Sequence, residues 1–424
     1  MVAAGKLLVG CVADDFTGAT DVANIFARAG LKTTVLIGVP EDDRDIDADV
    51  IVVALKTRTT PPQMAVEESL VALRWLRARG AQKYYFKYCS TFDSTTKGNI
   101  GPVADAMLAE LGQSITIACP AFPANGRTVY KGNLFVGDVP LDESGMRNHP
   151  LTPMIDANLL RVLGPQSRAE ITGCYYETVK HGASAIAEWA APIHGDGTRI
   201  VVVDALADED LVEIAQAFKD LVLFTGASGL AYGLARVLLA GGNSREAAVT
   251  TDLDEGYRAV VSGSCSVATN GQVETMLADH EGFRVDLSKL AEGVDVVGEA
   301  VEWASSRLGQ KPVLIYATAL PDEVKGNQRR LGVAQSGEMV ETALSSIARR
   351  LVEKGVSELI VAGGETSGAV VKSLGVDQLS IGNEIAPGVP WVHAKSQGRS
   401  LSLALKSGNF GERDFFMNAW DRLR

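Results

Sequence analysis

The sequence predicts an α/β protein of two domains, each with a largely parallel sheet flanked by helices, and an active site in the interdomain cleft. Three observations carry this. Short apolar runs alternate with amphipathic helical patterns along the chain. The alternation gives way at the polar, turn-rich "LAGGNSREAAVTTDLDEG". It then restarts in the same form. Alternating units of this kind build parallel sheets covered on both faces.

In chain order, "LLVGCVA" is a first strand leading into the helical "GATDVANIFARAG". "LVGC" resembles a lipoprotein cleavage box, but the apolar stretch before it is shorter than the roughly 7–15 residues of a signal core. "KTTVLIG" and "DVIVVAL" are strands, and "MAVEESLVALRWLRARG" repeats its apolar residues near every 3.6 positions. "KYYFKY", "SITIACP" and "RIVVVDAL" are further strands, the last before the helix "DEDLVEIAQAFKDL". Residues 119–154 carry five prolines and little periodicity, which predicts a long functional loop. Beyond the break come "YRAVVSGSCS", "KPVLIYAT", the helix "GEMVETALSSIARRLVEKG", and "ELIVAGGETSGAVVKSLG". The expected division is 1–240, a linker 241–256, and 257–424.

With 424 residues, 46% hydrophobic content and a formal net charge of −12, the chain has material for large cores and a poor charge for nucleic acid or anionic lipid. Phe224 to Ala240 is the most apolar long segment, but Arg236 and its glycines argue against a membrane span. The five cysteines form no CxxC pair, which fits thiols in a reducing cytoplasm. The five histidines lack metal-ligand spacing, so no metal residues are expected.

The first strand stops on Asp14 and Asp15, followed by Thr17 and Gly18. Ligands of open parallel sheets sit beyond the carboxyl ends of the strands, where helix N-termini offer free N–H groups. The two carboxylates there either accept from substrate hydroxyls or serve as a helix cap beside a solvated neighbour. A second polar cluster, "FKYCSTFDSTTKGNIG", brings Lys87, Asp93, Ser94, Thr95 and Lys97 to a strand end. A lysine inside the aromatic strand "KYYFKY" is a candidate anion ligand or a solvated edge-strand residue, and the second reading suits Lys83 better than Lys87. Arg127, Arg147, Asn148 and His149 follow in the proline-rich segment. Arginine suits carboxylates and phosphates because it can bind in a two-bond fork. In the second domain "VVSGSCSVATNGQV" and "LIVAGGETSGAVV" each read strand, glycine turn, helix. Backbone at Gly363 and Gly364 can approach a phosphate closely at the start of the helix opened by Glu365, Thr366 and Ser367. "LKSGNFG" is a third glycine turn. No GxxxxGK[ST], GxGxxG, GxSxG, HExxH or protein-kinase motif set occurs.

"ADDFTGATD", "KYCSTFDSTTKGNIG", "CPAFPANGRTVYKGNLFVGDVPLDESGMRNHPLTPM", "SGSCSVATNGQV", "GGETSGAVV" and "KSGNFG" together resemble the four-carbon acid sugar kinase family, in order and over nearly the whole chain. The resemblance, closest to the 3-oxo-tetronate branch, implies a sugar-acid domain followed by an ATP domain. It implies phosphorylation of the 4-hydroxyl of 3-oxo-tetronate in the cytoplasm, with D-threonate or D-erythronate as alternative acceptors. The competing class is a sugar-acid and nucleotide sensor without chemistry.

Carried over, Asp14, Asp15 and Asp93 are candidates to orient or deprotonate the hydroxyl, with no choice among them. Thr17, Gly18, Lys87, Ser94 and Arg127 would bind the sugar acid. Ser262, Gly263, Ser264, Gly363, Gly364, Glu365, Thr366 and Gly408 would bind ATP, with Mg²⁺ bridging its phosphates. Lys97 stands where an arginine is frequent in the family, so a two-bond contact is not expected there. The expected partners are small molecules, with a homo-oligomer left open.

Overall fold

The computed structural model describes residues 7–42, 46–149, 151–193, 197–241 and 256–423. It divides into two compact units, Met1–Ala247 and Ala248–Arg424. The expected linker 241–256 lies outside the described residues except for Gly241 and Gly256.

The first unit contains strands β1 (Val9–Ala13), β2 (Thr33–Ile37), β3 (Val50–Ala54), β4 (Lys83–Lys87), β5 (Ile115–Cys119), β6 (Arg127–Tyr130), β7 (Asn133–Val136), β8 (Val139–Pro140), β9 (Glu170–Cys174), β10 (Arg199–Val203) and β11 (Leu223–Gly226). Eight of them pair in the order β2-β3-β1-β4-β11-β5-β10-β9, every neighbour parallel. β1, β3 and β5 are buried along their whole length, as expected of strands covered on both faces. β4 is central between β1 and β11, which corrects the reading of Lys83 as an edge-strand residue. Its ammonium is half-buried and donates to the carbonyls of Lys219 and Leu221.

Residues 119–154 hold more than a loop. β6, β7 and β8 form a small antiparallel sheet. Its strands are only two to four residues long, preceded by Gly126 and separated by Gly132 and Gly137, all at positive φ, so no period-2 pattern builds up. Buried Asp204 pins it by accepting the N–H groups of Lys131 (2.5 Å), Gly132 (2.8 Å) and Tyr176 (2.9 Å).

The second unit contains β12 (Tyr257–Ser262), β13 (Gly282–Arg284), β14 (Val313–Tyr316), β15 (Val356–Ala362), β16 (Gln378–Ala386), β17 (Val389–Ser396) and β18 (Arg399–Lys406). The order is β13-β14-β12-β15-β18-β17-β16. The pairs are parallel as far as β18, and then an antiparallel meander, absent from the sequence reading, closes the series. Trp391 of β17 packs 5.6 Å from Trp420 in a core shared with Phe415 and Phe416. No helix among the described residues is long and apolar enough to cross a membrane.

Candidate active site

Parallel pairing aligns the carboxyl ends of neighbouring strands in the first unit. Ala13 stands opposite Ala54 and Lys87, and Lys87 opposite Gly226. The segments that leave these strands therefore meet at one edge. β1 delivers Asp14 and Asp15, β3 delivers Arg58, and β4 delivers Lys87 and the turn to Asp93.

The acids are held by Arg58. The amides of Thr57 and Arg58 donate to the Asp14 carbonyl at 3.0 and 3.2 Å. Asn99 Nδ2 fixes that segment by donating to the carbonyls of Thr57, Arg58 and Thr60. The guanidinium then reaches Asp14 in a fork, Nε to Oδ2 at 3.0 Å and Nη2 to Oδ1 at 2.7 Å. Nη2 also lies 2.8 Å from Asp15 Oδ1.

Asp15, not Asp14, caps the following helix, Phe16–Arg28. Its Oδ1 accepts the Gly18 N–H at 2.9 Å, and its Oδ2 accepts the Thr17 hydroxyl at 2.8 Å. A Cβ at Gly18 would run into Asp15 Oδ1 and stand 2.9 Å from Lys87 Nζ, so glycine leaves room for the acid and the cation together. Thr17 and Gly18 thus build the acid site from behind.

Surroundings push the two acids apart. Burial raises the Asp14 carboxyl above its ordinary value, with Arg58 working against it. Burial also opposes ionisation of Asp15, but Arg58, Lys87, the Thr17 hydroxyl and the Gly18 amide outweigh it and hold the carboxyl low. Arg58 remains charged, because the acids offset its own burial.

Lys87 is buried, with Nζ donating to the Tyr88 carbonyl at 3.0 Å. Beyond it the chain turns sharply, with Phe92 in the left-handed region at φ 52 and fully buried. Asp93 accepts the Thr91 hydroxyl at 2.6 Å on Oδ1, while Oδ2 has no hydrogen bond among the described residues. Arg127, at the start of β6, donates Nη1 to the Asn125 carbonyl, and its buried Nε has no partner. Burial pulls the Arg127 guanidinium down, while Cys89, Asp21 and Asp93 pull it up, which locates it beside that turn.

Ser94 is engaged elsewhere, donating to Gln166 Oε1 at 2.8 Å. Lys97 and Arg147 are exposed, and Arg147 donates to the Asp142 carbonyl. His149 Nδ1 accepts the Thr152 N–H at 3.1 Å. Arg58, Asn99 and Asp21, which accepts the Ser228 hydroxyl at 2.5 Å, escaped the sequence reading. For Arg58 the available signal was a basic residue just beyond the strand "DVIVVAL".

The second unit repeats the principle. Ser262, Ala362 and Lys406 end three adjacent parallel strands at one level. The turns that follow carry Gly263 and Ser264, Gly363 and Gly364, and Ser407 and Gly408. Three of these glycines leave no free room for a side chain: a Cβ at Gly263 would strike Thr366 Oγ1, and one at Gly408 would strike Ser264 Oγ. Gly363 has φ 122, and a Cβ there would lie 3.0 Å from Thr366 Oγ1 and 3.2 Å from the Ser264 nitrogen. Ser262 Oγ meets Thr318 Oγ1 at 2.7 Å. The helix Gly364–Ser373, opened by Gly364, Glu365 and Thr366, has Gly363 as its N-cap and no side-chain cap. Its first-turn N–H groups have no intrahelical partner, and an anion in front of them is favoured. The donor set and the glycine backbone fit a phosphate group.

Residues 9–234 match a family described as a sugar-binding N-terminal domain, and residues 259–416 one described as a nucleotide-binding C-terminal domain. A 3-oxo-tetronate kinase of Burkholderia multivorans is 52% identical over 98% of this chain and 97% of its own. One from Pseudomonas savastanoi pv. phaseolicola is 51% identical over the same shares. A crystal structure of a Haemophilus influenzae protein, 43% identical, covers 98% of this chain and 100% of its own, with a TM-score of 0.75. The acid edge lies within the sugar-binding match and the glycine turns within the nucleotide-binding match, and the chain belongs to the four-carbon acid sugar kinase family.

Proposed function

We propose that the protein is an ATP-dependent kinase that transfers the γ-phosphoryl group to the 4-hydroxyl of 3-oxo-tetronate, giving 3-oxo-tetronate 4-phosphate and ADP. The observation that carries it is the cation-balanced acid edge of the first unit. Asp14 and Asp15 alone would repel an anionic substrate. Arg58 and Lys87 offset both charges, and Arg127 keeps an unpaired buried donor for the substrate carboxylate. The whole-chain likeness to 3-oxo-tetronate kinases supports the choice of acid.

Phosphoryl transfer needs alignment and charge neutralisation more than covalent help from the protein. Asp93, with its open oxygen, receives the hydroxyl proton as O4 bonds to the γ-phosphorus. The bond from that phosphorus to the β–γ bridging oxygen breaks, and the electron pair leaves with ADP. Asp14 and Asp15, already filled by Arg58 and the helix N-terminus, orient the sugar hydroxyls. The turns at Ser262, Gly263, Ser264, Gly363, Gly364, Glu365, Thr366 and Gly408 hold the phosphates, with Mg²⁺ carried in on ATP. We assign the enzyme to the cytoplasm, where ATP is supplied.

The test is ADP release with ATP and 3-oxo-tetronate, D-threonate or D-erythronate. Turnover favouring 3-oxo-tetronate is expected. Tight binding of acid and ATP without ADP release would make the protein a sensor instead.

A further inference from the structure

The 407–410 loop is folded around a buried cation. Lys406 is fully buried, and no carboxylate pairs with it among the described residues. Its Nζ donates to the carbonyls of Ser407 (2.9 Å), Gly408 (3.1 Å) and Phe410 (3.1 Å), and to Thr269 Oγ1 (3.1 Å). The Gly408 carbonyl takes two further donors, Ser266 Oγ at 2.5 Å and Thr269 Oγ1 at 2.8 Å. Gln272 Nε2 collects the next carbonyls, those of Phe410, Gly411 and Glu412, at 2.8–3.0 Å. The loop therefore turns its carbonyls inward.

A trans peptide is planar, with its N–H pointing opposite to its C=O. Inward carbonyls at Ser407 and Gly408 send the N–H groups of Gly408 and Asn409 outward. Neither amide meets an acceptor among the described residues. Successive outward N–H groups form an anion-binding concavity. It stands at the same strand edge as the glycine turns, since the Gly363 N–H donates to the Lys406 carbonyl at 2.8 Å.

We propose that Lys406 is a positioning residue of the nucleotide site: from inside the loop it sets the amides of Gly408 and Asn409 as donors to a nucleotide phosphate. This rests on the reading of the second unit as the ATP site. An unpaired buried cation is costly to keep, and apolar replacement of such groups often leaves a fold equally stable. Retention for the loop's geometry explains why the cation is there.

The experiment uses the full chain with Lys406→Met and Lys406→Gln. ATP KM, sugar-acid KM and kcat are measured, with inorganic tripolyphosphate as a competitive inhibitor. In the Met variant the ATP KM and the tripolyphosphate inhibition constant should both rise about tenfold, a loss of about 1.4 kcal/mol of binding. kcat and the sugar-acid KM should stay within about twofold. The Gln variant keeps N–H donors, should fall between, and serves if the Met variant does not fold. Wild-type ATP and tripolyphosphate constants in a folded variant would overturn the proposal. If the wild type itself binds no ATP, the nucleotide reading fails, and amide exchange at Gly408 and Asn409 still decides the loop's geometry. Equal exchange in wild type and Lys406→Met would then overturn it.

Discussion

Arg58 holds Asp14 through two parallel hydrogen bonds, at 3.0 and 2.7 Å, across 44 residues of sequence, and the nitrogen of the shorter one also meets Asp15 at 2.8 Å. One guanidinium thus serves both acids at the end of β1. The arrangement explains how adjacent carboxylates stay buried at one sheet edge, and it generates the first prediction. Arg58→Ala leaves Asp14 without its hydrogen-bonded partner and Asp15 with only Lys87, the Thr17 hydroxyl and the Gly18 amide, and breaking a buried pair costs about 3–5 kcal/mol. Turnover should fall by orders of magnitude while ATP binding by calorimetry stays within about twofold, because the change is confined to the first unit. Arg58→Lys should recover only part of the loss, since an ammonium cannot form the fork. Full activity in Arg58→Lys would show that charge alone matters.

Asp93→Asn should lower kcat at least about a hundredfold, the usual scale of a general base, with both KM values little changed. The motive is its unpaired Oδ2 beside Arg127. A near-wild-type kcat in this variant, with a large drop in Asp14→Asn, would move the proton acceptor to Asp14.

Arg127→Ala should raise the sugar-acid KM strongly and leave the ATP KM unchanged. The variant loses the Nη1 bond to the Asn125 carbonyl but none at the unpartnered Nε, so the thermal midpoint should fall only slightly. A large fall in the midpoint without a change in KM would mark Arg127 as structural.

Gly363→Ala places a side chain at φ 122, within 3.0 Å of Thr366 Oγ1. Strain of about 1–3 kcal/mol is expected, together with weaker ATP binding and an unaltered sugar-acid KM. Calorimetry on the folded variant checks this, and unchanged ATP affinity would remove the turn from the nucleotide site.

Burial pulls Lys406 down from 10.5 to about 7. Its folded value lies below its unfolded one, so between about pH 7 and 10.5 the unfolded chain binds more protons and stability rises with pH. The unfolding free energy of wild type minus that of Lys406→Met should increase across that window, by at most about 1.4 kcal/mol per pH unit. A flat difference would mean that the carbonyls around Nζ restore the usual ammonium.

Much of the molecule is written locally. Alternation of apolar runs with helical periods marks the parallel strands of both units, because a buried strand and an amphipathic helix each carry their own period. The turns at Asp14 and Asp15 and at Gly363 and Gly364 were legible for a related reason: a strand passing directly into a helix needs capping acids or glycines where the backbone reverses. The short strands β6 to β8 were not legible, since two to four residues cannot establish a period.

What the sequence alone determined is therefore the main alternation of parallel strands and helices, the two-part division and the strand ends that carry the candidate site residues. Tertiary structure decided which groups meet there and which are already occupied. Arg58 reaches Asp14 from the turn beyond another strand, Ser94 gives its hydroxyl to Gln166 across 72 residues, and Lys406 finds Thr269 across 137. The physical reason is that parallel pairing sets side by side the ends of strands far apart in the chain, while local periodicity records only which face of an element is buried. Charge balance at the acid edge follows from that pairing.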